Sequence, residues 1–329
     1  MIRFIRTFVL ALSSLITMLP ASAQTATRSG ADTYPSKPIR FIVTYSPGGG
    51  NDIIARLFAQ RLSEQMGQSV MVENRAGAGG TIGTAAAAKA APDGHTIVLV
   101  SPPFVMAPTL YPNLPYDTLK DLTPISVIGS VQNMLVVHPS VPARSVSELL
   151  ALGRAKTSAL NAATLGSATT QHLAAAMFNY MGKIDMLLVP YKGSAPGTND
   201  LLAGHVQVMF NAMPSTLPYV KTGQLRALGV TGLQRSAMAP EVPTVAETLP
   251  GFEITTWYGV LAPTGTPPDI IAKLNSEMVK ASQHPEVKRK LAEMGVDVQM
   301  SSPEAFGSLI RAEMTKWAEI IRLTNVKAE

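Results

Sequence analysis

Short apolar runs alternate along the chain with longer segments in which apolar residues recur every three to four positions. Ile39 to Thr44 is the first apolar run, and Ile53 to Met66 follows it at helical spacing. The first pattern is typical of a buried strand and the second of an amphipathic helix. Asn51 or Asp52 can cap the free N–H groups of this helix, and Gly67 predicts its end.

The same alternation continues to the C-terminus. Further strands are predicted at 69–73, 96–100, 160–164, 185–189, 206–210, 225–230 and 253–261. Further helices are predicted at 82–90, 145–156, 169–181, near 200, and at 215–221, 267–283, 285–294 and 303–323. Strands alternating with helices predict an α/β fold with mostly parallel sheets and helices on both faces.

The predicted strands fall into two groups, one before about Ser130 and one from about Asn133 to Val230. The last strand and helices are expected to rejoin the first group. A chain of this length exceeds what one hydrophobic core usually serves. We therefore expect two lobes connected by two chain crossings, near Ser130 and near Glu253.

The N-terminus has the features of a secretory signal peptide. Arg3 and Arg6 precede an apolar run from Phe8 to Leu19, and Ala21-Ser22-Ala23 supplies a cleavage site of small residues. The alternative is a membrane anchor, but a spanning helix needs roughly 20 apolar residues. We expect cleavage near Ala23 and a protein exported to the periplasm.

Composition excludes several functional classes. The chain has no cysteine, which excludes disulfides, cysteine-ligated zinc and cysteine nucleophiles. The chain has a formal net charge of +5, and its basic residues are scattered along the sequence without a dense cluster. We therefore expect no nucleic-acid partner and expect the positive charge to attract small anions instead. The five histidines form no close metal-binding pair. No nucleophile elbow or cofactor motif supports the alternative of a hydrolase or dehydrogenase, and we expect neither metal nor cofactor.

One strand-to-helix loop is a candidate anion site. Ser46-Pro47-Gly48-Gly49-Gly50-Asn51-Asp52 follows the first strand, and glycines let backbone N–H groups approach a ligand closely. The helix N-terminus behind the loop carries a partial positive charge. The alternative is an ordinary turn. The candidate ligand-binding residues here are Tyr45, Ser46, Gly49, Gly50, Asn51 and Asp52.

A second loop of this kind spans Thr164 to His172, where small and hydroxyl residues precede a predicted helix. Each helix end contributes about 0.3–1 kcal/mol, whereas micromolar binding needs about 8 kcal/mol. Several further hydrogen-bond donors are therefore required. His172 either contacts a ligand or braces the loop. The candidate residues here are Gly166, Ser167, Ala168, Thr169 and Thr170.

Other residues are candidates for the far end of a cleft. Ser101 and Asn211 follow predicted strands, and Lys192 lies in a loop where it either reaches the ligand or stays in solvent. Trp257 and Tyr258 lie at the second crossing, where they either line the cleft or pack.

Motifs in a fixed order along the chain resemble the Bug-type receptors, the extracytoplasmic solute-binding proteins of tripartite tricarboxylate transporters. They are Tyr34-Pro35-Ser36-Lys37-Pro38, Gly48-Gly49-Gly50-Asn51-Asp52, Glu73-Asn74-Arg75-Ala76-Gly77, Ala91-Pro92-Asp93-Gly94, Val189-Pro190-Tyr191-Lys192-Gly193 and Trp257-Tyr258-Gly259-Val260. The resemblance covers essentially the whole mature chain. Each motif is weak alone, and their combined order makes the resemblance specific.

The resemblance implies a periplasmic-binding-protein fold and capture of a small carboxylate, largely by backbone N–H groups and bridging waters of two loops. Those loops correspond to Tyr45–Asp52 and Thr164–Thr170. Asn211 stands where an acidic residue is common, which argues against an amino-acid ligand.

We expect a signal peptide at 1–23, one lobe at 24–130 with 254–329, and the other at 131–253. The expected partners of this monomer are membrane transporter subunits or, alternatively, a sensor protein.

Overall fold

The computed structural model describes residues 33–155, 160–166, 169–191, 193–324 and 326. The predicted signal peptide lies outside the described residues. The strands are β1 Ile39–Val43, β2 Val70–Asn74, β3 Thr96–Val100, β4 Leu122–Val137, β5 Asn161–Thr164, β6 Leu187–Pro190, β7 Val208–Ala212, β8 Arg226–Val230, β9 Thr255–Pro263 and β10 Asp297–Val298. The helices are α1 Gly50–Met66, α2 Thr81–Ala88, α3 Pro103–Leu110, α4 Val146–Ala155, α5 Thr170–Gly182, α6 Ser194–Leu202, α7 Met213–Lys221, α8 Pro268–Gln283, α9 Pro285–Glu293 and α10 Pro303–Thr324.

The strands form two lobes that share their central strands. The strand order is β2-β1-β3-β9-β4-β7-β5-β6, and β8 and β10 also pair with β4. The outer pairings β1–β2, β1–β3, β5–β6 and β5–β7 are parallel. The pairings that β4 and β9 make with each other and with their neighbours are antiparallel. This is the α/β periplasmic-binding-protein fold that the sequence predicts.

The two expected crossings are β4 and β9, which lie side by side. Ser130 pairs with Trp257, and Gln132 pairs with Thr255. The 16 residues of β4 extend over roughly 50 Å at the usual rise per residue, enough to carry the chain from one lobe into the other. The hinge between the lobes is therefore a two-stranded antiparallel ribbon.

Three elements are absent from the expectations, of which the two-residue strand β10 is one. The helix α3 contains Pro103 and Pro108, residues that read as a loop in sequence. The strand β4 contains Pro124 and Gly129, and its register with β9 shifts at both places. Proline and glycine are tolerated in strands at such irregularities. Because both residues usually indicate a turn, the sequence did not predict one continuous strand here.

The predicted cap of the first helix is wrong. The helix α1 begins at Gly50 with Gly49 as its N-cap, and no side chain caps it. Asn51 and Asp52 already lie in its first turn. Gly67 ends the helix in the left-handed conformation, as expected. The first N–H groups of α1 have no partner within the helix, so they stay available at its N-terminus.

One hydrophobic core runs through both lobes behind the cleft. It joins Phe104 of one lobe to Phe178 of the other, and Phe306 and Trp317 of α10 belong to it. The helix α10 packs against both α3 and α5. Its close approach to β9 requires Gly259, because a Cβ there would overlap the ring of Phe306. The C-terminal helix thus braces the two lobes at once.

A buried carboxylate ties α10 to the crossing strand. Glu313 is 9% exposed, and its Oε2 accepts hydrogen bonds from Trp257 Nε1 at 3.3 Å and Trp317 Nε1 at 2.7 Å. Lys316 Nζ lies 3.2 Å from the other carboxylate oxygen. Both indole N–H groups therefore depend on this one acceptor.

We predict that Glu313→Ala lowers the free energy of unfolding by about 2–4 kcal/mol, because it leaves two buried indole donors unsatisfied. Urea denaturation followed by tryptophan fluorescence measures the change. The matched control is Glu319→Ala on the exposed face of the same helix, for which a change within about 0.5 kcal/mol is expected. Equal effects of the two substitutions would contradict the assigned role of Glu313.

Candidate ligand-binding cleft

The loop between β1 and α1 presents backbone N–H groups at the carboxyl end of the first parallel strands. Gly48 has a φ of +86°, a conformation that favours glycine, and the turn that it makes leads directly into α1. Gly49, Gly50 and Asn51 line a cavity at this point. Because α1 has no side-chain cap, its first N–H groups and the positive end of its dipole face this space.

Asp52 braces this loop from behind. Its carboxylate accepts hydrogen bonds from the Gly48 N–H at 2.9 Å, Arg56 Nε at 3.0 Å and Asn74 Nδ2 at 2.9 Å. Burial opposes ionisation of the carboxyl group, but the hydrogen bonds from Arg56, Gly48 and Asn74 outweigh it and lower the pKa of Asp52 to about 2. Asp52 is therefore an ionised support of the loop and does not line the cavity.

The second loop, after β5, faces the same cavity from the other lobe. Gly166 has a φ of +98°, and Thr169 caps α5 by accepting the His172 N–H at 3.2 Å. The Thr169 hydroxyl also donates to the Gly166 carbonyl at 2.8 Å. His172 Nδ1 lies 3.3 Å from Thr164 Oγ1, which fits the loop-bracing alternative for this histidine.

Side chains at the start of α5 connect this loop to both crossing strands. Thr170 and Thr256 of β9 share a hydrogen bond of 2.8 Å. Gln171 Nε2 donates to Asn133 Oδ1 of β4 at 3.2 Å. The second loop is therefore held against the hinge by polar contacts.

The two loops enclose one cavity of about 590 Å³. Its lining combines glycines with hydroxyl, amide and phenol side chains. The lining residues are Tyr45, Gly49, Gly50, Asn51, Ala78, Gly79, Ser101, Pro103, Tyr111, Leu165, Gly166, Thr169, Thr170, Gln171, Thr256 and Tyr258. None of these described residues carries a charged side chain, so a bound anion meets neutral donors and helix dipoles here.

The structure brings most of the candidate residues together. Those that line the cavity are Tyr45, Gly49, Gly50, Asn51, Ser101, Gly166, Thr169 and Thr170. Ser46 is exposed and does not line it. Asn211 is also outside the lining: it is 1% exposed and donates to Ser194 Oγ at 2.7 Å. Ser167, Ala168 and Lys192 lie outside the described residues.

Several lining residues were not among the candidates, and for Trp257 and Tyr258 the sequence left open which of them lines the cleft. Thr256 and Tyr258 point to the cavity from alternate positions of β9, while Trp257 between them points to the core. This period of two is the signal that could have separated Tyr258 from Trp257. Ala78 and Gly79 come from a turn with positive φ angles, and Tyr111 follows the unpredicted helix α3.

Within the described ranges, no group of three or more His, Asp or Glu residues is placed to hold a metal ion. No helix of the described part of the chain is both long and apolar enough to cross a membrane.

A two-lobed α/β fold with a cleft between opposed helix N-termini defines the class of periplasmic solute-binding receptors. Residues 54–326 match the family model described as the tripartite tricarboxylate transporter family receptor. The chain belongs to this family.

Relatives along the full chain agree with this assignment. BugT of Bordetella pertussis is 38% identical over 96% of this chain and 98% of its own length. The structure of R. palustris Rpa4515 with adipate covers 90% of this chain and 100% of its own, at 33% identity and a TM-score of 0.76. MatC from Rhodopseudomonas palustris with bound malate covers 88% and 100%, at 30% identity and a TM-score of 0.73.

We predict that Asp52→Asn lowers the free energy of unfolding by about 1–3 kcal/mol at neutral pH, because charge-assisted hydrogen bonds to the loop are lost. The native pKa of about 2 lies below that of an unfolded aspartate, about 3.9. The stabilisation is therefore present above about pH 4 and is lost as pH falls towards 2.

Chemical denaturation of both proteins between pH 2 and pH 8 tests this dependence. Asp185→Asn, at an exposed position, is the matched control and should change stability little. A difference between wild type and Asp52→Asn that persists undiminished at pH 2 would exclude the ionised carboxylate as its source.

Proposed function

We propose that this protein is exported to the periplasm, captures a small carboxylate in the cleft between its lobes, and delivers it to the membrane subunits of a tripartite transporter. The observation that supports this proposal most directly is that two strand-to-helix loops, one from each lobe, open onto the same cavity. Each loop supplies backbone N–H groups and the positive end of a helix dipole, which together favour a negatively charged oxygen pair.

The proposed site places one carboxylate between Gly50 of the first loop and Gly166 of the second. Thr169, Thr170 and Ser101 belong to the same lining. Their hydroxyl groups are bonded to Gly166, Thr256 and Tyr45 in this structure, and in this proposal they exchange those partners for the ligand. Hydrogen bonds to a charged acceptor contribute about 1.5–3 kcal/mol each, so a few of them supply what the helix ends lack. In this proposal, Ser167 and Ala168 complete the second loop. Lys192 and Asn211 are candidates for contact with the end of the ligand that lies farther from the two loops.

The relatives support a carboxylate as the ligand. One related structure holds adipate and another holds malate. Both proteins align with at least 88% of this chain. We extend to this protein only the shared chemistry, a small organic acid, and not either named compound.

Closure of the lobes is the proposed binding motion. The lobes are residues 24–130 with 254–329, and residues 131–253, and they turn about the ribbon of β4 and β9. The bond between Thr170 and Thr256 lies between the second loop and this ribbon, so loop position and hinge angle are mechanically coupled. The closed monomer then presents a buried ligand to the transporter without chemical conversion, as a receptor and not an enzyme.

We predict that isothermal titration calorimetry detects micromolar binding of at least one organic acid from a panel that includes adipate, malate and benzoate. Gly50→Val should weaken that binding by about 100-fold or more, because the new side chain occupies the anion position. A Cβ at residue 50 already lies 3.0 Å from the Tyr258 hydroxyl.

Ser46→Ala is the matched control in the same loop, and circular dichroism confirms that each variant is folded. Unchanged binding in a folded Gly50→Val protein would overturn the proposed anion site. The absence of binding for every acid in the panel would overturn the carboxylate assignment.

A further inference from the structure

We infer that a wall of three tyrosines, Tyr45, Tyr111 and Tyr258, makes this cleft selective for carboxylates that carry an aromatic ring. The inference rests on the proposed function and adds a ligand class to it. All three residues line the cavity beside the two anion-binding loops, and we call them the tyrosine wall.

The tyrosine wall extends away from the anion position along one lobe. The Tyr258 hydroxyl lies 3.0 Å from the place that a Cβ on Gly50 would occupy. Tyr45 and Tyr111 border the next glycines: their rings lie 3.7 Å from a Cβ position on Gly80 and 3.6 Å from one on Gly79. The wall therefore runs from the first loop to the turn before α2.

The position of Tyr45 in this wall is fixed by neighbouring polar groups. Ser101 Oγ donates to the Tyr45 hydroxyl at 3.4 Å, and Asn51 Nδ2 lies 3.5 Å from Ser101 Oγ. Asn51 belongs to the first turn of α1. These contacts connect the ring of Tyr45 to the first turn of α1. A ligand carboxylate held at α1 would therefore lie at a fixed distance from that ring.

The chemistry of the wall suits a neutral ring more than a second carboxylate. Phenols are uncharged at neutral pH, and burial raises the pKa of both Tyr45 and Tyr258 further, to about 12. A second carboxylate placed here would exchange its hydration for phenol hydroxyls, with neither a cation among the described lining residues nor the two helix ends proposed for the first carboxylate, which is costly. Aromatic rings instead gain from stacked or edge-to-face contact with phenol rings.

The cavity is large enough for such a ligand. A protein cavity of about 150 Å³ holds benzene, and this cleft has about 590 Å³. A benzoate-sized molecule therefore fits with its carboxylate at the loops and its ring against the wall, and room remains for the lobes to close on it.

The experiment compares four ligands by calorimetry: benzoate, 4-hydroxybenzoate, adipate, and cyclohexanecarboxylate as the saturated match of benzoate. Benzoate should bind about three- to tenfold more tightly than cyclohexanecarboxylate, the preference that one aromatic pair supplies. Tyr111→Leu should lower the ratio of the benzoate to the cyclohexanecarboxylate affinity towards one, because a leucine side chain offers no aromatic contact. Tyr111→Phe should retain the preference.

Tyr180→Leu is the matched control, because Tyr180 is 53% exposed on α5 and does not line the cleft. Equal affinity for benzoate and cyclohexanecarboxylate, or tighter binding of adipate than of either, would overturn the inference and leave the carboxylate receptor intact. The proposed function itself fails only when no acid binds or when Gly50→Val has no effect. The two failures are therefore distinguishable.

Discussion

The carboxylate of Asp52 makes the rest of the site possible because it supports the first loop without capping the first helix. By accepting the Gly48 N–H and pairing with Arg56, it holds the turn from the protein side. A side-chain cap on α1 would occupy donors that a ligand needs, whereas the Thr169 cap of α5 accepts only the His172 N–H. The strongest charge of this region thus stays behind the loop, and the cavity meets only backbone amides and neutral side chains.

The sequence could predict most of the strands and helices, the two-lobed fold and the two strand-to-helix loops that face the cavity, because these depend on local periodicity and on glycine. It could not predict β4, whose Pro124 and Gly129 disguise one strand of 16 residues. Most of the cavity's first-loop residues were anticipated. Tyr111 was not, because its place in the wall depends on the packing of α3 and the turn at Gly79, and neither has a periodic signature.

The alternation of side chains along β9 connects binding to the frame of the molecule. Thr256 and Tyr258 face the cleft, whereas Trp257 between them donates to Glu313 of α10. A strand places successive side chains on opposite faces, so any rotation of this segment about its axis moves both surfaces together. The cavity lining and the buried indole–carboxylate cluster therefore lie on opposite faces of the same strand.

The helix α10 lies behind both lobes, and its core residues are continuous with those of each. The C-terminal helix therefore forms a fixed support behind the two lobes, and the proposed motion is confined to the lobes in front of it. Because this apolar cluster contains residues of both halves, loss of structure in one half exposes apolar residues of the other. A solute that binds only the folded form would therefore protect the whole chain against unfolding and proteolysis, including segments that it does not touch.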